Sequence, residues 1–126
     1  MVKKLEVYKC GICGSMVEVL KNAAGTLVCC GKPMSLMNEN NLDAAVEKHV
    51  PVVAEVNGEL VIKVGEVEHP MVDEHFIQWI EVITKDGSVL RQELHPNEKP
   101  EAKFKLNSEV ERVREYCNLH GLWSNK

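Results

Sequence analysis

Five cysteines and five histidines of this 126-residue chain have the chemistry of metal ligands, and most of them fall into two sets. The first is Cys10-Gly11-Ile12-Cys13 with Cys29-Cys30. The C-x2-C knuckle puts two sulfurs on one tight turn, and Gly11 and Gly14 let backbone amides face them. Four thiolates make a tetrahedral site for zinc or iron, at metal–sulfur distances of ~2.3 Å. Zinc ribbons usually space both pairs as C-x2-C, so the adjacent pair Cys29-Cys30 is a departure. Neighbouring cysteines reach one metal only with a distorted angle between their sulfurs. A purely structural zinc knuckle is the plain alternative, and spacing alone does not choose between the metals.

The second set is more scattered. Cys117-Asn118-Leu119-His120 puts a thiol and an imidazole in one tight loop, His69-Pro70 and His75 bracket another, and His49 opens a Val-rich stretch. Taken singly, a histidine is ordinarily a surface residue and a lone cysteine a small core residue. Together, imidazoles and a thiolate suit iron, copper or zinc. They could meet only if the loops that carry them converge at one end of a scaffold.

The elements that must do this positioning divide near residue 38. Residues 1–37 hold four cysteines, four glycines and few large apolar side chains. A segment below ~40 residues rarely buries enough surface to fold without metal or disulfides. Asn38-Glu39-Asn40-Asn41 reads as a linker, and Asp43 to Lys48 as a short helical turn. From residue 49 onward the pattern is β. Val50–Val56, Asn57-Gly58 and Glu59–Val64 form a hairpin. Phe76–Thr84 is apolar enough for a strand buried on both sides. Asp86-Gly87 turns it onto Ser88–Leu94, and Ala102, Phe104 and Leu106 alternate with Lys103 and Lys105. Val110–Cys117 fits either a strand or a helical spacing. With a short strand around Val67 the count is about seven, which predicts an antiparallel sandwich.

Composition excludes several classes. With 15 basic and 19 acidic side chains the net charge is −4, so no basic footprint for nucleic acid exists. No apolar run approaches the ~20 residues of a membrane span. Met1-Val2-Lys3-Lys4-Leu5 has lysines without an apolar stretch behind them, so no secretory signal is expected. Five cysteines, an odd number, point away from a disulfide scaffold and toward metal or redox work in a reducing cytoplasm.

The motifs in combination resemble the desulfoferrodoxins, the two-iron class of superoxide reductases. The resemblance covers essentially the whole chain. It rests on Tyr8-Lys9-Cys10-x2-Cys13, Val28-Cys29-Cys30, Glu47-Lys48-His49-Val50-Pro51, His69-Pro70-Met71, His75 with Ile77-Gln78-Trp79, and Glu115-Tyr116-Cys117-Asn118-x-His120-Gly121-x-Trp123. It implies a desulforedoxin-like domain over residues 1–37 and an immunoglobulin-like β-sandwich over 38–126, in a cytoplasmic homodimer. It further implies two irons per chain. Cys10, Cys13, Cys29 and Cys30 would hold a distorted rubredoxin-type iron. His49, His69, His75 and His120 would be equatorial ligands of a second, catalytic iron, and Cys117 its axial ligand. Glu47 resembles the carboxylate that fills the open position in the oxidised state, and Lys48 the cation beside it. His95 matches no ligand. The implied reaction reduces superoxide to hydrogen peroxide, with electrons from a rubredoxin-like donor. An electron carrier, a zinc-bound binding module and a dismutase are the competing classes. Without the resemblance, Glu47 and Lys48 would read as a solvated charge pair worth under ~1 kcal/mol. Trp79 and Trp123 are expected as core or site-wall residues, with Pro51 and Pro70 stiffening the chain beside His49 and His69.

Overall fold

A computed structural model describes residues 1–40, 49–65 and 69–126. Its chain contacts divide it into two units, Met1–Asn38 and Glu39–Lys126. The described residues contain β-strands and turns and no helix.

The first unit has five short strands, β1 (Val7–Lys9), β2 (Met16–Glu18), β3 (Val28–Cys29), β4 (Lys32–Pro33) and β5 (Ser35–Leu36). They form a three-stranded sheet in the order β2-β1-β5 and a separate β3-β4 hairpin. Val2, Val7, Cys10 and Val19 are its only buried apolar residues among those described. So small a core leaves little besides the cysteine cluster to hold the unit together.

The second unit is a seven-stranded antiparallel sandwich. One sheet has the order β10-β7-β6, from β6 (Pro51–Val56), β7 (Glu59–Val64) and β10 (Glu101–Phe104). The other runs β12-β11-β8-β9, from β8 (Ile77–Thr84), β9 (Val89–Glu93), β11 (Val110–Cys117) and β12 (Gly121–Ser124). Leu60, Ile62, Val64, Ala102 and Phe104 from the first sheet meet Ile77, Ile80, Val82, Val113 and Cys117 from the second in one core. Val110–Cys117 is therefore a strand; the helical spacing of Val110, Val113 and Cys117 is overridden by pairing with β8 and β12. The seventh strand is Gly121–Ser124, too short and too close to the preceding turn to stand out in the sequence. The expected strand around Val67 and the helical turn over Asp43–Lys48 lie outside the described residues.

Turn chemistry sets the registers. Asn57 and Gly58 both take positive φ, 52° and 79°, the two-residue turn whose twist matches the strands it joins. At the next hairpin the Asp86 carboxylate accepts from the Thr84 hydroxyl and from the Ser88 amide at 3.1 Å. These bonds hold the Asp86 carboxyl below the usual carboxylate range, the Thr84 contribution being larger.

Two features of the β8–β11 pair aim the end of β11. Tyr116 opposes Trp79, but Cys117 opposes Ile77, so Gln78 is an extra residue in a β-bulge. The bulge lets Ile77 and Ile80, three apart, face the same side as Cys117. Across the other face, the wholly buried Glu81 accepts from Arg114 at 2.9 Å (Nε) and 2.5 Å, and from Arg91 at 2.6 Å. Glu39 adds to the network at 3.6 Å from Arg114 and 3.3 Å from Arg112. Ionic groups from β8, β9 and β11 thus interlock, and a one-residue slip between strands would break them together.

Candidate metal centres

In the first unit, β1 ends at Lys9 and the chain bends through the Cys10–Ser15 knuckle. The Cys10 amide bonds the Ser15 carbonyl at 2.8 Å, which closes the loop. The Ile12 and Cys13 amides both donate to the Cys10 sulfur at 3.4 Å. The Ser15 amide and hydroxyl face the Cys13 sulfur at 3.4 and 3.1 Å. Such donors favour the thiolate form. They pull Cys10 down, and Cys13 to about 6 with the Ser15 hydroxyl as the chief cause. The Cys29 thiol is pushed up to about 12, first by Cys13, because adjacent sulfurs cannot all be anionic without a cation. The adjacent pair is explained by the backbone. Cys30 and Gly31 take φ of 53° and 75° and form the two-residue turn joining β3 to β4. That left-handed step brings the Cys29 and Cys30 sulfurs within 3.9 Å, while Cys13 and Cys29 lie 3.5 Å apart. Holding a non-glycine residue there costs roughly 1–2 kcal/mol.

In the second unit, the donors come from one end of the sandwich. His49 precedes β6, His75 precedes β8, Cys117 ends β11, and His120 lies in the turn to β12. The four imidazoles form a closed ring. Centroids of neighbours are 4.7 Å apart for His49–His69, 4.7 Å for His69–His75, 5.0 Å for His75–His120 and 4.8 Å for His120–His49. Each pair meets edge to face, at 66° to 80°. The Cys117 sulfur is 3.6 Å from His69 Nε2 and 3.7 Å from His120 Nδ1. All five donor atoms lie within 4.8 Å of one another.

Tautomers follow from the partners. His69 Nδ1 is 2.7 Å from the Pro70 carbonyl, which can only accept, so Nδ1 carries the proton. Its Nε2 lone pair then points at the cluster, 3.0 Å from His49 Nε2. Trp123 walls the site: its ring stacks on His49 at 4.8 Å and 17°, and its indole N–H donates to the His120 carbonyl at 3.1 Å. Trp79 stacks instead on Tyr116, at 6.0 Å. His49, His69 and Cys117 are buried, His75 is half-buried and His120 is exposed. The cluster is therefore walled on the core side and reachable from solvent on the other. Five soft or borderline donors converging on one point fit a transition metal, and in its thiolate form the buried Cys117 would need a cation beside it.

The structure brings together Cys10, Cys13, Cys29 and Cys30 in one group and His49, His69, His75, His120 and Cys117 in the other. Glu47 and Lys48 lie outside the described residues. His95 stands apart, exposed and bonded to Glu98 at 3.1 Å. Asn118 is read from the sequence only as a member of the Cys117-Asn118-x-His120 motif, with no role of its own. An Asn at the mouth of a tight turn is the signal that was present.

The family model described as Desulfoferrodoxin matches residues 41–126, and that described as Desulfoferrodoxin, N-terminal domain matches residues 2–37. A protein of Syntrophotalea carbinolica named Desulfoferrodoxin is 60% identical over 126 residues, covering 100% of this chain and 99% of its own. A Pyrococcus abyssi protein named Superoxide reductase is 36% identical over 98 residues, which span 64% of this chain and 85% of that one. The solved structure of the superoxide reductase from Treponema pallidum superposes with a TM-score of 0.82 at 31% identity, covering 99% of this chain and 100% of that chain. The two donor groups together with these likenesses fit two iron sites.

Proposed function

The chain belongs to the desulfoferrodoxin family, and from that premise we propose that it is a superoxide reductase, taking superoxide to hydrogen peroxide with one electron and two protons and making no oxygen. The observation that carries this reading is the closed ring of four imidazoles with the Cys117 sulfur against it. A ferrous ion held by His49, His69, His75, His120 and Cys117 would supply the electron. Cys10, Cys13, Cys29 and Cys30 would hold the other iron.

The chain's own residues have distinct tasks. The Pro70 carbonyl keeps the His69 proton on Nδ1, so the ring stays a neutral donor. Four neutral imidazoles and one thiolate leave a divalent site with a net charge near +1, which attracts an anion. The protein as a whole is at −4, so attraction must be local. Lys48 would provide it, since a focused field raises on-rates by roughly 10–10³-fold. Glu47 would occupy the open position or bring water to it after turnover. The exposed side at His120 would leave the site open to protons from solvent. A rubredoxin-like donor, a homodimer and a cytoplasmic setting complete the reading.

The test is a product count. Pre-reduced protein is pulsed with sub-stoichiometric superoxide. One peroxide per superoxide, no oxygen and one iron oxidised each time are expected. Half as much peroxide with oxygen, at a rate above a protein-free control, would make the protein a dismutase. At the rate of the control it would remove superoxide chemistry altogether.

A further inference from the structure

One side-chain amide ties the end of β11 to the loop that carries His75. The Asn118 backbone N–H bonds the Phe76 carbonyl at 3.2 Å. This is one half of the bond pair that would continue the β8–β11 ladder beyond Cys117. The returning bond comes from the side chain instead: Phe76 N–H donates to Asn118 Oδ1 at 3.0 Å. Asn118 Nδ2 then donates to the Glu74 carbonyl at 3.0 Å. By using its side chain in place of its own carbonyl, Asn118 keeps the pairing while its backbone leaves the strand toward His120.

The bonds fall on both peptide groups that flank His75. The Glu74 carbonyl belongs to the peptide before it, and the Phe76 N–H to the peptide after it. The remaining two groups are held by Val72, through His75 N–H to Val72 O and Val72 N–H to His75 O, each 3.0 Å. All four polar groups of the two peptides are therefore bonded, two of them by Asn118. Fixing those planes fixes the backbone dihedrals of His75 and the direction of its Cα–Cβ bond.

We infer that Asn118 is a positioning residue for the five-donor centre, which locks His75 to Cys117 so that donors from two distant segments keep one spacing. The inference rests on the reading that the five donors hold a metal. Groups that orient a ligand without touching the metal typically change affinity by 10–100-fold when removed.

The test uses the full chain and Co²⁺ and needs no superoxide chemistry; because the four-cysteine group takes Co²⁺ as well, the second centre is read from the thiolate and ligand-field bands that Cys117→Ser lacks. Asn118→Asp keeps the acceptor for Phe76 and loses the donor to Glu74; Asn118→Ala loses both. Asn125→Ala is the control, because its Oδ1 also holds a strand amide, that of Val113 at 2.9 Å, away from the donors. Weaker Co²⁺ binding is expected, about tenfold or more in Asn118→Ala and less in Asn118→Asp, with shifted ligand-field bands. The control should melt earlier yet bind Co²⁺ as the parent does. Parent-like affinity and bands in Asn118→Asp, or in a folded Asn118→Ala, would overturn the inference and leave Asn118 a loop brace. If the parent itself bound no Co²⁺ through Cys117, the metal reading would fail first, and the inference with it.

Discussion

At the scale of single residues, the proposed function places the weight of the second centre on a sulfur and a charge. The Cys117 sulfur sits 3.6 Å from His69 Nε2 and is wholly buried, so its anionic form there needs a cation. Cys117→Ser should abolish superoxide reduction and the thiolate absorption of the second centre, while the absorption of the four-cysteine centre stays unchanged. Stopped-flow reduction and an electronic spectrum check this, and retained activity would remove Cys117 from the site. In the proposed function, Lys48 is the cation that would draw in the anion. Lys48→Ile should slow the bimolecular step by roughly tenfold at low salt and flatten its dependence on ionic strength. An unchanged salt slope would make Lys48 a surface charge.

At the scale of elements, the position of the sulfur is a property of strand pairing. Cys117 faces the core because the bulge at Gln78 places it opposite Ile77, and the Glu81–Arg114–Arg91 network locks β11 and β9 to β8. Glu81→Ala removes the buried carboxylate that Arg114 bonds at 2.9 and 2.5 Å, while Glu39 stays at 3.6 Å. It should cost about 3–5 kcal/mol of stability, read from the urea midpoint. Glu81→Gln should cost less, because an amide oxygen still accepts from one arginine. The Asp86 turn gives a pH signature. Its folded pKa is depressed, so its contribution is complete above the unfolded value near 3.8 and is lost as pH falls through the lower folded value. Asp86→Asn should therefore lower the melting temperature at pH 7. The gap between variant and parent should close on acidification below the usual carboxylate pKa. A gap independent of pH would show that the side chain acts only through its shape.

At the scale of the molecule, the two units carry opposite charge. Residues 1–38 have five lysines against two glutamates, or +3, and residues 39–126 have ten cations against 17 anions, or −7. The anionic substrate is thus assigned to the anionic unit, which makes a local cation necessary for fast capture. Each unit also holds its own donor set, with no donor shared among the described residues. Cys13→Ser should reduce the metal content from two irons to one per chain, with superoxide reduction preserved when an external reductant supplies the second centre. Metal analysis with single-turnover kinetics decides it; loss of both irons would show that the second unit requires the first.

Much of this was legible in the residues themselves. The knuckle at Cys10–Cys13, the adjacent Cys29-Cys30, the Asn57-Gly58 hairpin and the alternation at Ala102–Leu106 are local signals, set by bonds and turns a few residues long. The donor list was legible too, through motifs quoted in chain order. What only the tertiary structure decided is the geometry among distant segments. The sequence reading did not find Gln78 as a bulge, because period-two alternation has no symbol for an extra residue. It did not find Glu81 and Arg114 as buried partners, because charged side chains read as exposed until a second strand covers them. It did not find Asn118 as a clamp, because its partners Glu74 and Phe76 lie more than 40 residues away. Each of these depends on which strands become neighbours, and that is settled by burying one shared core, a nonlocal quantity that no short window of sequence contains.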